Sequence, residues 1–529
     1  MKKHFFSQYI LTILVIFTLS CKQEEPRPAE GKDENRRFST NYFPPVFLVD
    51  QRAEKIKSIA SELQKMMEEH AKERNIPGIA YGIVVDDELV LASATGLMKV
   101  EENVMASTRS SFRIASMSKS FTAMAIMKLR DEGKLSLNDP VHRYIPELAK
   151  IAYLTKDSPD MTLENLLTMT AGFPEDNPWG DRQLDEPDQM LIDLIEDGIS
   201  FSNPPSFDFE YSNTGYALLG YVISRVSGMP YQDYIHQNIL IPLGMHETFW
   251  EYDKVPKDQL VLGYRRENGR WLQEPLLHDG IYGAMGGLIT SIEDFSKYVS
   301  YHLSAWPPRN EDHYGPLERS SLREMQTPKY AHLYATAKDY NQEPCAQISG
   351  YGYGLGISTD CEDLKRVGHG GALPGFGSDY RFYPEYGIGI MAFCNLTYTA
   401  AYPRDKIEKL LFETLKLEPR RLPISEILAQ RKEQVIGLIQ TWNEVPDEFL
   451  AENFYLDFSR EYRKKECEEI FSQAGEIKGI AELIPENQLR GTFEFITEKG
   501  KIRVFFTLTP EKEAKLQELD LRFEPTGGV

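Results

Sequence analysis

Ser116-Met117-Ser118-Lys119 places a serine and a lysine three residues apart. At a helix start that spacing puts both on one face, within hydrogen-bond reach. A serine hydroxyl is a poor nucleophile until a base removes its proton. Lysine can be that base only when it is neutral. Burial and the positive end of a helix dipole both disfavour the ammonium form. A lysine in the first helical turn is therefore out of place for stability and well placed for chemistry. The plain alternative is an exposed Lys119 on an ordinary helix, and ~2 chance matches to such a motif are expected in a chain this long. Ser116 is nonetheless the only serine here that satisfies it. Tyr211-Ser212-Asn213 is the only Tyr-x-Asn and directly precedes an apolar helix. Its tyrosine can relay a proton, and its asparagine can bind a substrate carbonyl. Val367-Gly368-His369-Gly370-Gly371-Ala372 sets small residues beside a polar one on a strand, so that a substrate backbone can lie against it. His278-Asp279-Gly280 and His313-Tyr314-Gly315 also read His-x-Gly, but only His369 lies between strand signals.

The elements that must position these residues follow from periodicity. Ile56, Ile59, Ala60, Leu63, Met66 and Met67 repeat at helical spacing, and Pro77-Gly78 stops that helix. The alternating run Ile79 to Leu91 reads as two strands joined at Asp86-Asp87. A helix over Ser116 to Glu132 carries the Ser/Lys pair and ends at Gly133. Another spans Ala217 to Val226 and ends at Gly228, and glycine-rich strands run from Ser349 to Asn395. Gly352-x-Gly354-x-Gly356 reads as a close-packed strand, since no helix start follows it. The acidic stretch Glu175 to Asp197 reads as a surface insertion. Its Asp176, Asp181, Asp185, Glu186 and Asp188 are taken as solvated charge, with a rim favouring cationic substrates as the functional alternative.

Together the three motifs, in this order, resemble the serine beta-lactamase and penicillin-binding-protein superfamily. The nearest branch is that of class C beta-lactamases, D-Ala-D-Ala carboxypeptidases, D-aminopeptidases and related esterases. Phe112-Arg113-Ile114-Ala115-Ser116, Leu166 to Gly172, Tyr211 to Gly220, Gly283 to Leu288 and Gly368 to Gly377 carry the likeness, which covers roughly residues 55 to 415. The resemblance implies an α/β (α+β) fold: an antiparallel sheet flanked by helices, plus an all-helical subdomain. It also implies Ser116 as nucleophile, with Lys119 and Tyr211 sharing the general-base role. Asn213 would hold the substrate amide, and His369 would help bind a substrate carboxylate. Gly370, Gly371 and Ala372 would line the strand beside the substrate. The N–H groups of Ser116 and Ala372 would form an oxyanion hole, where each donor is worth about 3–4 kcal/mol. Class C beta-lactamases carry lysine where this chain has His369, so the resemblance points to D-amino-acid peptides or small esters. A class C-like beta-lactamase and a non-catalytic lipoprotein that binds cell-wall peptides are the alternatives. No cofactor and no metal is implied. No Cys pair has CxxC spacing, His246-Glu247 lacks the second histidine of a zincin, and no G-x-S-x-G elbow occurs.

The remainder of the 529 residues sets the context. Apolar residues are 41% and charged residues 26%, as in soluble globular proteins. With 59 Lys+Arg against 80 Asp+Glu the net charge is −21, which argues against a nucleic-acid partner. Lys2, Lys3 and His4 precede an apolar run from Tyr9 to Leu19, then Ser20-Cys21. That pattern resembles a bacterial lipoprotein signal over 1–21, lipidated at Cys21, with a plain cleaved signal or a short anchor as the alternative. Residues 22–52, rich in Glu, Lys, Arg and Pro, read as a flexible tether to the membrane. The expected organisation is then a hydrolase domain over 53–418, a linker and helix over 419–442, and a small α+β domain over 443–529. In such an extracytoplasmic chain Cys345 and Cys361 can pair. Free buried thiols are the reading adopted, because Cys394 sits in the apolar run after Ile388.

Overall fold

The computed structural model describes Ser39, residues 41–442 and residues 447–526. Cys21, the signal-like segment and most of the tether lie outside them. Among the described residues, no helix is long and apolar enough to cross a membrane.

Gly78–Val85 and Ile388–Cys394 are almost wholly apolar and buried along their full length. Strands covered on both faces belong in the middle of a sheet, and these two pair antiparallel there. Nine strands form the sheet, ordered Val104–Met105, Glu88–Lys99, Gly78–Val85, Ile388–Cys394, Phe376–Tyr383, Lys365–Leu373, Gly356–Asp360, Gln347–Tyr351 and Tyr330–Tyr334. Every pairing is antiparallel. Alternation sorts the side chains by face. Ile79, Tyr81 and Ile83 join Ile56, Leu63 and Met67 of the N-terminal helices and Ile407 and Leu411. Ala80 and Val84 join Phe295, Tyr298 and Val299 of the helix Ile292–Leu303. Beyond that face, the helices Ser118–Asp131, Leu163–Leu167, Asp188–Gly198 and Asn213–Ser227 make the helical subdomain.

Local details follow the sequence with two adjustments. The first amphipathic stretch is two helices, Arg52–Ser58 and Ala60–Arg74. At their break the Ser58 hydroxyl donates to the Lys55 carbonyl, competing with the helical ladder. The Ser/Lys helix ends as expected: Gly133 is left-handed (φ 71°) and Lys134 N–H closes on Leu129 O. Cys345 and Cys361 form a disulfide, which corrects the free-thiol reading. The register pairing Asp360 with Gln347 brings the flanking cysteines to a Cα separation of 5.3 Å. Cys394 and Cys467 are free and buried.

A buried ion cluster ties the helix starting at Arg404 to the sheet. Glu408 accepts from Arg366 (2.8 Å), Arg381 (2.9 Å) and Tyr383 (2.8 Å), and Arg366 also reaches Asp360. Burial alone would push the Glu408 carboxyl up; the two guanidiniums override it and hold it below its ordinary range. Glu408→Ala removes the buried carboxylate that Arg366 and Arg381 share, leaving only Asp360 to Arg366, so we expect a loss of ~3–5 kcal/mol. An unchanged midpoint in urea unfolding would refute this.

Toward the C-terminus, five strands form a second antiparallel sheet covered by the helix Arg460–Ala474. Ile502, Val504, Phe506 and Leu508 point to one buried face, at the period of two read from the sequence. Leu428, Val435, Leu438 and Ile439 of the helix Glu426–Thr441 share that core. That helix therefore packs with the tail's sheet.

Candidate active site

Ser116 lies in a 3-10 turn, Ala115–Met117, that runs directly into the helix Ser118–Asp131. Ala115 before it is left-handed (φ 51°), a conformation that costs a residue with a Cβ ~1–3 kcal/mol. Packing against the strand Lys365–Leu373 holds it there. A Cβ on Gly371 would fall 2.3 Å from the Ile114 carbonyl and 3.1 Å from Ala115 Cβ, so only glycine lets this strand lie on the nucleophile turn. The Ser378 hydroxyl donates to the same Ile114 carbonyl at 2.7 Å.

One helical turn on, Lys119 is fully buried. Its Nζ sits 3.0 Å from Ser116 Oγ, 2.7 Å from Asn213 Oδ1 and 3.0 Å from the Met285 carbonyl. The segment that supplies Met285 is bolted to the same helix, with Thr122 donating to Ala284 O and Leu288 N–H donating to Ser118 Oγ. Burial lowers the lysine from its ordinary 10.5 to about 7, and the charges of Asp181 and Asp176 oppose that shift. Asn213 Oδ1 and the Met285 carbonyl can only accept. They take two N–H groups and leave the third valence of Nζ facing Ser116 Oγ. In the neutral amine that valence is a lone pair.

Tyr211 lines the same cavity as Ser116, and its ring centroid lies 5.0 Å from Lys119 Nζ. Burial raises the phenol well above its ordinary range, against the opposing influence of the Ser116 hydroxyl. Asn213 opens the helix Asn213–Ser227, which is capped twice. Ser212 Oγ accepts from Gly215 N–H. Asp176 accepts from Asn213 N–H (2.6 Å), Thr214 N–H (2.7 Å) and the Thr214 hydroxyl (2.7 Å). Asn213 was expected to hold a substrate amide, but both ends of its side chain are already engaged. Oδ1 accepts from Lys119, and Nδ2 donates to Asn177 at 2.6 Å. It is fully buried and so positions the lysine.

His369 differs from expectation in a similar way. Nδ1 lies 2.5 Å from the Gly370 carbonyl and must donate to it, which leaves Nε2 to accept from the Tyr351 hydroxyl at 2.8 Å. Burial, then the nearby Lys119 charge, lowers the imidazole to about 4, so it is neutral at physiological pH. Neither ring nitrogen is left to grip a carboxylate. The cation at this wall is Arg404, which pairs with the buried Asp379 and keeps a partly exposed guanidinium.

A cavity of about 580 Å³ opens over these groups, lined by Ser116, Tyr211, His369, Asp181, Arg404 and Tyr398, with Gly370, Gly371 and Ala372 along one side. That volume suits a dipeptide-sized ligand. Four lining or supporting residues escaped the sequence reading. Asp176 and Asp181 fall in the acidic stretch taken as solvated, yet Asp176 caps a helix and Asp181 is 2% exposed. Trp179-Gly180 between them was the available signal, an uncharged pair interrupting the charge run. Tyr351 had a signal in the alternating Gly350-Tyr351-Gly352-Tyr353-Gly354. The glycines there are spacers, since a Cβ on Gly354 (φ 70°) would strike Ser120 Cα of the nucleophile helix at 2.7 Å. Arg404 had none. Among the described residues, no three His, Cys, Asp or Glu side chains group as a metal site.

The sequence profile of the beta-lactamase family matches residues 63–413, about two thirds of the chain. The chain belongs to the beta-lactamase family. Among relatives of this beta-lactamase family member is Protein flp of Staphylococcus aureus (strain MW2), 28% identical over 375 residues, with 70% of each chain covered. Another is Beta-lactamase-like protein 2 of Dictyostelium discoideum, 30% identical over 302 residues, covering 56% of this chain and 53% of that one. The octameric penicillin-binding protein homologue from Pyrococcus abyssi superposes with a TM-score of 0.56 at 25% identity, covering 88% of this chain and 98% of that one. A penicillin-binding protein from Bacillus halodurans superposes with a TM-score of 0.51 at 25% identity, covering 66% and 98%. The expected fold class, a large antiparallel sheet flanked by helices, is the fold these structures share.

Proposed function

We propose that this beta-lactamase family member is a serine hydrolase that opens an amide or ester through an acyl-enzyme on Ser116. The observation that carries the reading is the coordination of Lys119, whose two acceptor-only partners leave its lone pair for the Ser116 proton. As Ser116 Oγ bonds to the substrate carbonyl carbon, its proton passes to Lys119 Nζ. The oxygen that becomes negative is received by the N–H groups of Ser116 and Ala372. Collapse breaks the carbon–nitrogen or carbon–oxygen bond, and the leaving group takes the proton back by way of Lys119 and the Tyr211 phenol. Water then attacks the acyl-enzyme by the same route, releasing the acid and restoring Ser116. Because burial keeps Tyr211 a phenol, it donates protons and leaves their abstraction to Lys119.

Peptides containing a D-residue and small esters are the substrate class, with Arg404 available to a substrate carboxylate. The test is to incubate the protein with a fluorescent penicillin or a p-nitrophenyl ester, quench and map the adduct. A covalent acyl group on Ser116 is expected. An adduct on another residue, or ester turnover with no covalent species at Ser116, would sink the reading.

The same proposal places the enzyme in a bacterial cell envelope, outside the cytoplasm and held by lipid at Cys21. The Cys345–Cys361 disulfide supports an oxidising compartment. Palmitate labelling of the expressed protein should vanish in Cys21→Ser; labelling that persists would contradict the anchor.

A further inference from the structure

Asp181 is the charged group of the cavity that this reaction scheme leaves unused. It sits in the 3-10 turn Gly180–Arg182, lines the same cavity as Ser116 and is 2% exposed. Its Oδ1 has no hydrogen-bond partner. Cations lie nearby, yet among the described residues none is within ion-pair distance of it. Lys119 directs its N–H groups to Asn213 and Met285, and Arg182 reaches toward Glu274 instead. Asp176, five residues earlier, shows the contrast, with three hydrogen bonds absorbed in capping a helix. Burial raises the Asp181 carboxyl to about 6, and the Lys119 charge, the Tyr398 hydroxyl at the cavity wall and the Arg182 charge offset that only in part. A recessed carboxylate with a spare oxygen beside a nucleophile is a site that lacks its counter-ion.

We propose that Asp181 is the seat of a substrate ammonium, so that the acyl half of the substrate carries a free α-amine. This rests on the acyl-enzyme reading of Ser116. Asp181 lines one cavity with Ser116 and Tyr211, and its charge acts on both Lys119 and Tyr211, so it lies on the wall beside the reacting carbon. A cation that near to a scissile carbonyl is the α-amine of the acyl group, because the leaving nitrogen of an amide is uncharged. Arg404, paired with Asp379, marks a positive wall of the same cavity, so the polarity suits a small zwitterion. The chain's net charge of −21 also draws cations toward it.

Recognition and mere tuning of Lys119 are separable. A carboxylate that only adjusts the lysine changes the rate for every substrate alike; one that binds an ammonium changes the ratio between substrates. The experiment compares D-alanine p-nitroanilide with isobutyryl p-nitroanilide, in which a methyl replaces the ammonium. Ser116 labelling by a fluorophosphonate is run alongside, on the wild type and on Asp181→Asn. We expect the wild type to prefer the amine by at least ~30-fold in kcat/KM, and the preference to fall to near unity in Asp181→Asn. A wild-type ratio near unity overturns the proposal without any variant, as does a labelled enzyme that cleaves neither compound. A ratio that survives in a labelled Asp181→Asn also overturns it. In each of these cases labelling at Ser116 leaves the acyl-enzyme reading standing, whereas failure to label Ser116 in the wild type removes both.

Discussion

Ser116→Ala lowers kcat/KM by ~10⁴–10⁶-fold while leaving the fold intact. Nucleophile and base act as a unit, so losing either forfeits nearly all of their joint effect. What remains comes from the oxyanion donors and from binding. The structural cost is small, since Ser116 is 7% exposed and alanine fits the turn without its hydroxyl. The oxygen it deletes hydrogen-bonds Lys119, a group of the site. Steady-state kinetics with a p-nitrophenyl ester, beside an unfolding curve, measures both quantities. Residual turnover above about one percent, in a variant of unchanged stability, would show that the chemistry resides elsewhere.

Lys119→Met costs about as much activity, on the order of 10⁴-fold, because it removes the base and keeps the volume. Its stability signature is distinct. Lys119 titrates near 7 in the folded protein and near its ordinary 10.5 when unfolded. Below 7 both states hold the proton, and the full cost of a buried ammonium is present. Between the two values the unfolded chain holds more protons, so rising pH stabilises the folded wild type. The wild type therefore gains stability relative to Lys119→Met as pH climbs from about 7 to 10.5. A stability difference between the two proteins that stays flat over that window would mean the lysine keeps its proton inside the fold.

Much of this site is legible in the sequence, and for identifiable reasons. Ser116 and Lys119 are neighbours on one helix, so their meeting is local geometry. The strand Ile388–Cys394 announced itself by a continuous apolar run, and the strand Gly78–Val85 and the tail strands by alternation. What stayed hidden depends on distant partners. Asn213 and Lys119 are 94 residues apart, and no pattern in either segment says that the amide will face the amine rather than a substrate. The neutral tautomer of His369 is set by Tyr351 on a different strand. Asp181 shows the limit of composition: a carboxylate in a charged run reads as solvent-facing until folding buries it. The Cys345–Cys361 bridge likewise needed the hairpin register, which two short glycine-rich strands do not specify on their own.

The most direct test follows the rate constant for acylation of Ser116 by an uncharged p-nitrophenyl ester as pH is varied. Rapid mixing isolates the first covalent step from release of the acid. The rate should rise as the buried amine loses its proton and level off above about 7. A rate that climbs only toward 10.5, or shows no dependence across that range, would contradict a neutral Lys119 as the base.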